Sequence, residues 1–198
     1  MSSTGMSAMP SKWKGIVGKG FSAEDFDAYA KTITFGAWKP QFVVLHNTAV
    51  PRLGDWHSVS GQTRMQSLEH YYRDIQKWSG GSHLFIADDL IWAFTPLNLQ
   101  GVHAPSWNAI SWGVELVGDY SVEPLSEGVR QNAILALATL HCLVGLDPMA
   151  MHLHREDPLT THKGCPGNNV SKSDFQQWVN AKMIEMHDGE HVPGAVAV

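Results

Sequence analysis

The sequence predicts a single layered α/β domain. Short apolar runs with strand character alternate along the chain with stretches of helical periodicity. Neither an internal repeat nor a shift in composition divides the chain. Its 198 residues, 43% hydrophobic and 17% charged, suffice for one sizeable core and are too apolar for a disordered chain.

The elements follow in order. Residues 1–20, rich in Ser, Gly, Met and Lys, are expected to form a loose arm. "FSAEDFDAYAKTI" predicts a first helix: Ser22 followed by Asp25 resembles a capping box, with Asp in place of the usual Glu or Gln. Phe26, Tyr29 and Ala30 then share one helical face. "QFVVLHNTAV" reads as a buried strand from Phe42 to Leu45 that ends at His46, and 51–61 reads as a surface loop. Met65, Leu68, Tyr72 and Ile75 recur at three- and four-residue steps and predict an amphipathic helix over 62–77, ended by Gly80-Gly81. "HLFIADDLIWAFTP" is two apolar runs joined by Asp88-Asp89, a hairpin. Residues 97–110 read as irregular, and "SWGVELVG" as a strand carrying Glu115 among apolar neighbours. Residues 127–145 give the most apolar helix, closed by Gly145 and Pro148. A last helix over 171–186 carries Phe175, Trp178, Val179 and Met183, and 187–198 is expected to be a disordered tail. The folded domain is thus expected over 21–186.

Composition narrows the function classes. The net charge is −5 and no Lys/Arg-rich run is present, so a nucleic-acid partner is not expected. No apolar run reaches membrane-spanning length. The first fifteen residues lack the apolar stretch of a signal peptide, and Ser2 stands where N-myristoylation needs glycine, so the chain is expected to remain in the cytoplasm after synthesis. Two cysteines cannot build a disulfide framework. Cys142 lies in the apolar "ILALATLHCLVG" and reads as a structural thiol; Cys165 lies in the polar loop "HREDPLTTHKGCPG", where a core role suits it poorly.

Imidazole and thiolate are zinc's preferred donors, and catalytic zinc keeps three protein ligands and one open position. His46, where a strand runs out, and His154 and Cys165, flanking a Pro-punctuated loop, are a candidate set. Spacing alone leaves open that each histidine is a packing or solvent-facing residue.

Taken together, "VVLHNTA", "ISWGVELVGD" and "HREDPLTTHKGCPG" resemble the zinc-dependent N-acetylmuramoyl-L-alanine amidases of the type 2 family, which are related to peptidoglycan-recognition proteins. The resemblance spans roughly residues 38–180, and the motif His162 to Gly167 is most similar to those of phage and prophage endolysins. It implies a central mixed β-sheet flanked by helices. It also implies a zinc ion held by His46, His154 and Cys165, with His152 as a rival to His154. His154 is preferred because it stands directly before the polar Arg155-Glu156-Asp157. Lys163, two residues before Cys165, takes the place of the family's catalytic lysine, an oxyanion donor. Some members carry a tyrosine base where this chain has Ser82; others use a glutamate in a strand like "WGVELVGD", which supplies Glu115 as general base. A buried carboxylate there is costly unless it faces a cleft or a partner. His103, Asn47 and Trp107 are candidate substrate contacts.

The implied reaction is hydrolysis of the amide between the lactyl group of N-acetylmuramic acid and L-alanine, on peptidoglycan or a muropeptide, by an endolysin-like monomer that reaches the wall after release. The rivals are a muropeptide-recycling amidase, a non-catalytic wall-binding module, a hydrolase with Cys165 as nucleophile, and a structural zinc module. The last needs a fourth protein ligand, which no persuasive spacing offers.

Overall fold

The computed structural model describes residues 12–190 and bears out the layered α/β expectation. Six strands form one mixed sheet: β1 (Lys19–Phe21), β2 (Phe42–Asn47), β3 (Leu84–Ile86), β4 (Ile91–Ala93), β5 (Ser111–Leu116) and β6 (His152–Leu153). Their spatial order is β1-β4-β3-β5-β2-β6. The β3/β4 hairpin and the β1/β4 pair are antiparallel, whereas β3/β5, β5/β2 and β2/β6 are parallel.

Alternation along the strands sets the two faces. Val43 and Leu45 of β2, Leu84 and Ile86 of β3, and Trp112, Val114 and Leu116 of β5 point into the main core. That core is closed by helices α1 (Ala23–Lys31), α4 (Glu127–Val144) and α5 (Lys172–Glu190) through Phe26, Ala133, Leu137, Phe175 and Val179. One end of the opposite face is covered by the short α2 (Leu53–Trp56) and by α3 (Gly61–His70), around Trp56, Met65, Phe85 and Phe94. The loop over 97–110 covers part of the rest, its His103 ring lying against Ser111 and Gly113 of β5, and a cleft remains between, into which His46 and Glu115 look.

Local chemistry explains the helix ends. The Ser22 side chain caps α1 by accepting from the Asp25 N–H at 3.1 Å. Gly145, at φ 71°, ends α4 in the left-handed conformation. The expected helix over 62–77 is α3 followed by a π-helical turn, Tyr71–Ile75, and the helix stops before Lys77 at φ 56°. A wide turn advances the helical face by one residue. Met65, Leu68 and Tyr72 therefore face inward, while Ile75 is 59% exposed.

Other differences lie at the margins. Residues 12–20, expected within a loose arm, run along the hairpin: Val17 and Gly18 donate to Phe94 and Ala93, and Trp13 donates to Glu69. Strand β1 is too short to show a period in the sequence. Trp56, in the expected surface loop, is buried on α2. Helix α5 continues to Glu190, past the expected boundary at 186. Residues 1–11 of the expected arm and 191–198 of the expected tail lie outside the described residues.

Candidate metal centre and cleft

Strand register builds the site. In the parallel β2/β5 pair His46 stands opposite Glu115, and in β3/β5 Glu115 stands opposite Phe85. His46 and Glu115 thus share the face that the main helices leave open. Strand β6 pairs with β2 on its other side and delivers the chain to His154, so the His46 and His154 rings lie 4.3 Å apart. The loop then returns through Cys165, whose Sγ accepts from the Asn47 N–H at 3.4 Å and whose carbonyl accepts from the Arg155 N–H. Gly167 seats this return. It has φ 97°, and a Cβ there would stand 2.2 Å from the Tyr120 backbone.

The donor atoms of His46, His154 and Cys165 all lie within 4.8 Å of one another. Tetrahedral zinc with bonds of roughly 2.0–2.3 Å spaces its ligands by about 3.5 Å, so a small contraction brings the three into bonding range. The donor chemistry fits as well. Burial, with smaller contributions from His103, His154 and other neighbouring imidazoles, holds His46 well below the usual imidazole range. Burial, then His162, lowers His154 to about 4. Both rings are therefore neutral and carry a lone pair at pH 7. Burial and the Glu115 carboxylate push the Cys165 thiol up to about 12, so a thiolate there needs a cation beside it.

Polar partners orient these side chains. His46 Nε2 lies 3.1 Å from His103 Nδ1, and His154 Nε2 lies 2.8 Å from the Thr160 hydroxyl. Glu115 Oε1 accepts from Ser82 Oγ at 2.8 Å and stands 3.9 Å from His46 Nδ1. Burial raises Glu115 to about 7 against the opposing effect of the Ser82 hydrogen bond, which is the range a general base near neutrality requires.

These groups floor a cleft of about 920 Å³. Its wall includes Asn47, His103, Thr160 and His162, and its rim exposes Val50, Tyr71, Trp78 and Leu159. Among the described residues the wall carries one carboxylate, Glu115, and no lysine or arginine. The Lys163 ammonium donates to the Asp157 carbonyl at 3.1 Å, beside the wall residues His162 and Gly164. Trp107 is not on the wall; its ring packs on Phe42 and His152. His152 bonds Glu156 at 3.1 Å and stands apart from the donor cluster, which leaves His154 as the histidine of the set. The sequence reading left Ser82, Thr160 and the Tyr71–Trp78 rim without roles. Ser82 stood out only as a departure from a tyrosine, and its link to Glu115 depends on a strand register that no local pattern displays.

Comparison with solved structures matches this architecture. The endolysin N-acetylmuramoyl-L-alanine amidase LysCS from Clostridium intestinale aligns with a TM-score of 0.60 and 24% identity, covering 72% of this chain and 85% of that one. The Drosophila peptidoglycan-recognition protein PGRP-LB aligns with a TM-score of 0.61 and 20% identity, covering 85% and 88%. The fold is accordingly that of the type 2 amidases and peptidoglycan-recognition proteins. In sequence, the N-acetylmuramoyl-L-alanine amidase family model matches residues 37–168, and the chain belongs to that family. Peptidoglycan-recognition protein SC2 of Drosophila melanogaster is 25% identical over 147 residues, 71% of this chain and 75% of that protein. The N-acetylmuramoyl-L-alanine amidase of Mus musculus is 26% identical over 130 residues, 64% of this chain but 24% of its own length. Among the described residues no helix is long and apolar enough to cross a membrane.

Proposed function

We propose that this chain is a zinc-dependent amidase that cleaves the bond between the lactyl group of N-acetylmuramic acid and L-alanine in peptidoglycan, in the manner of an endolysin. The observation that carries the reading is the convergence of two neutral imidazoles and a thiol beside a buried carboxylate on the floor of one cleft. Membership of the amidase family supports the substrate class. The endolysin role rests on the loop from His162 to Gly167.

His46, His154 and Cys165 would hold the ion. Zinc, when bound, supplies Lewis-acid polarisation of the scissile carbonyl and acidifies water to about pKa 7. Glu115 takes the proton of the attacking water and returns it to the leaving amine. Ser82 holds one carboxylate oxygen of Glu115 in place for that transfer. Lys163 exchanges its bond to the Asp157 carbonyl for the developing oxyanion; its four-carbon stem gives the reach, and loss of one such donor typically costs about 10²–10³ in turnover. Asn47 and His103 flank the bond being broken from the wall of the cleft. The apolar rim suits the uncharged faces of sugar rings and the alanine methyl.

The intact donor set and Glu115 favour hydrolysis over wall binding alone. A nucleophilic Cys165 is disfavoured, because such cysteines have lowered pKa values whereas this thiol is pushed up beside neutral histidines. Mass spectrometry of digested sacculi tests the reading. New L-alanine N-termini without new reducing sugar ends are expected, lost in both Glu115→Gln and Cys165→Ala. Reducing ends in the digest would identify a glycosidase instead, and undiminished cleavage by Glu115→Gln would remove Glu115 from the mechanism.

A further inference from the structure

From the hydrogen bonds beneath the cleft we infer that His103 is a positioning residue for the metal centre: it fixes His46 in the tautomer that carries its lone pair on Nδ1. The inference rests on the reading that His46, His154 and Cys165 bind zinc.

Donor and acceptor assignments follow from the fixed end of the chain of bonds. A carbonyl oxygen only accepts, and the Ser111 carbonyl lies 3.3 Å from His103 Nε2, so that nitrogen carries the hydrogen. The Ser111 hydroxyl, 3.5 Å from the same nitrogen, offers no alternative, because its hydrogen is committed to the Trp107 carbonyl at 2.7 Å. His103 Nδ1 is therefore an acceptor. Its partner at 3.1 Å, His46 Nε2, must donate, and the lone pair of His46 is left on Nδ1. That is the nitrogen nearer Glu115, at 3.9 Å. A histidine ligand is set in this way by the bond its other nitrogen makes.

The protein holds the His103 ring from two further directions. Asn108 Oδ1 accepts from both the His103 and Ala104 N–H groups, at 2.7 and 2.8 Å, and pins the loop. In strand β5, Gly113 leaves room for the ring: a Cβ there would stand 2.4 Å from the His103 Cγ. A glycine inside a strand weakens it, and here it admits the imidazole against the sheet.

Zinc affinity, measured by competition with a chromophoric chelator, separates this role from simple packing. Loss of such an outer partner typically weakens metal binding by about 10–100-fold, and His103→Ala should show a change of that size. His103→Asn, whose amide oxygen stands close to the position of Nδ1 and can accept from His46, should recover most of it. Nitrogen-15 NMR of the zinc-free protein reads the tautomer directly: His46 should be protonated on Nε2 in the wild type and should become a mixture in His103→Ala. Unchanged affinity in His103→Ala, equal weakening in the Ala and Asn variants, or an Nδ1-protonated His46 in the wild type would each overturn the inference. If the wild type takes up no zinc, or Cys165→Ala takes up as much, the metal reading falls instead. The tautomer of His46 then still decides the role of His103.

Discussion

Glu115→Gln separates the energetic cost of the proposed base from its use. In the zinc-free folded chain burial holds the Glu115 carboxyl near 7, against an ordinary value of 4.5. Between those two values the unfolded chain has ionised this group while the folded chain keeps its proton. Unfolding then releases a proton, so this group's contribution to stability falls as pH rises through the window, and the full penalty is present above pH 7. At about 1.36 kcal/mol for each pKa unit, the penalty is at most about 3 kcal/mol, since water entering the cleft softens it. Glutamine has no proton to lose and can still accept from Ser82 Oγ. Burial also keeps His46, His83, His103 and His154 neutral in the fold. Those rings make stability fall as pH drops below about 6.5, the opposite slope, but they are common to both proteins and cancel in the difference. Urea unfolding of chelator-treated wild type and variant at pH 5 and pH 8 reads that difference. The variant should gain about 2–3 kcal/mol relative to wild type between the two conditions. Parallel pH dependence of the two proteins would refute a raised Glu115 carboxyl.

Three further outcomes follow. Thr160→Val removes the partner of His154 Nε2 and the acceptor of the His162 N–H, so it should weaken zinc binding by about tenfold or more in a chelator titration and cost about 1–3 kcal/mol in urea unfolding. Lys163→Ala should lower turnover on cell walls by about 10²–10³ while zinc content stays at the wild-type level. Gly167→Ala forces a side chain into a left-handed conformation and against the Tyr120 backbone, so it should cost at least about 1–2 kcal/mol in urea unfolding and loosen the loop carrying Cys165.

The sequence made the elements legible wherever one chemical period ran long enough. Ser22 and Gly145 marked helix ends because a capping hydroxyl and a left-handed glycine act locally. The strand leading to His46 showed as a run of apolar residues, and Glu115 stood out as a charge among them. Three kinds of feature escaped. The short strands β1 and β6 lie in no apolar run, unlike the equally short β3 and β4, and carry no readable period. The π-helical turn shifts a helical face without a distinctive residue, so Ile75 looked like a core position. Partnerships across the sheet depend on register between segments far apart in the chain: His46 with Glu115, Glu115 with Ser82, and His46 with His103. The donor set was a candidate from imidazole and thiol chemistry and was assigned as ligands by resemblance; its proximity is a property of β2, β6 and the returning loop. Trp107 was expected at the substrate, but aromatic character alone does not say which way a ring faces, and this one packs on Phe42 and His152.

X-ray absorption at the zinc edge, on protein carrying one equivalent of zinc, tests the central claim most directly. A first shell of one sulfur near 2.3 Å and about three nitrogen or oxygen neighbours near 2.0–2.1 Å is the predicted result, with the sulfur lost in Cys165→Ser. A shell without sulfur, one with two sulfurs, or no stoichiometric uptake of zinc would contradict it.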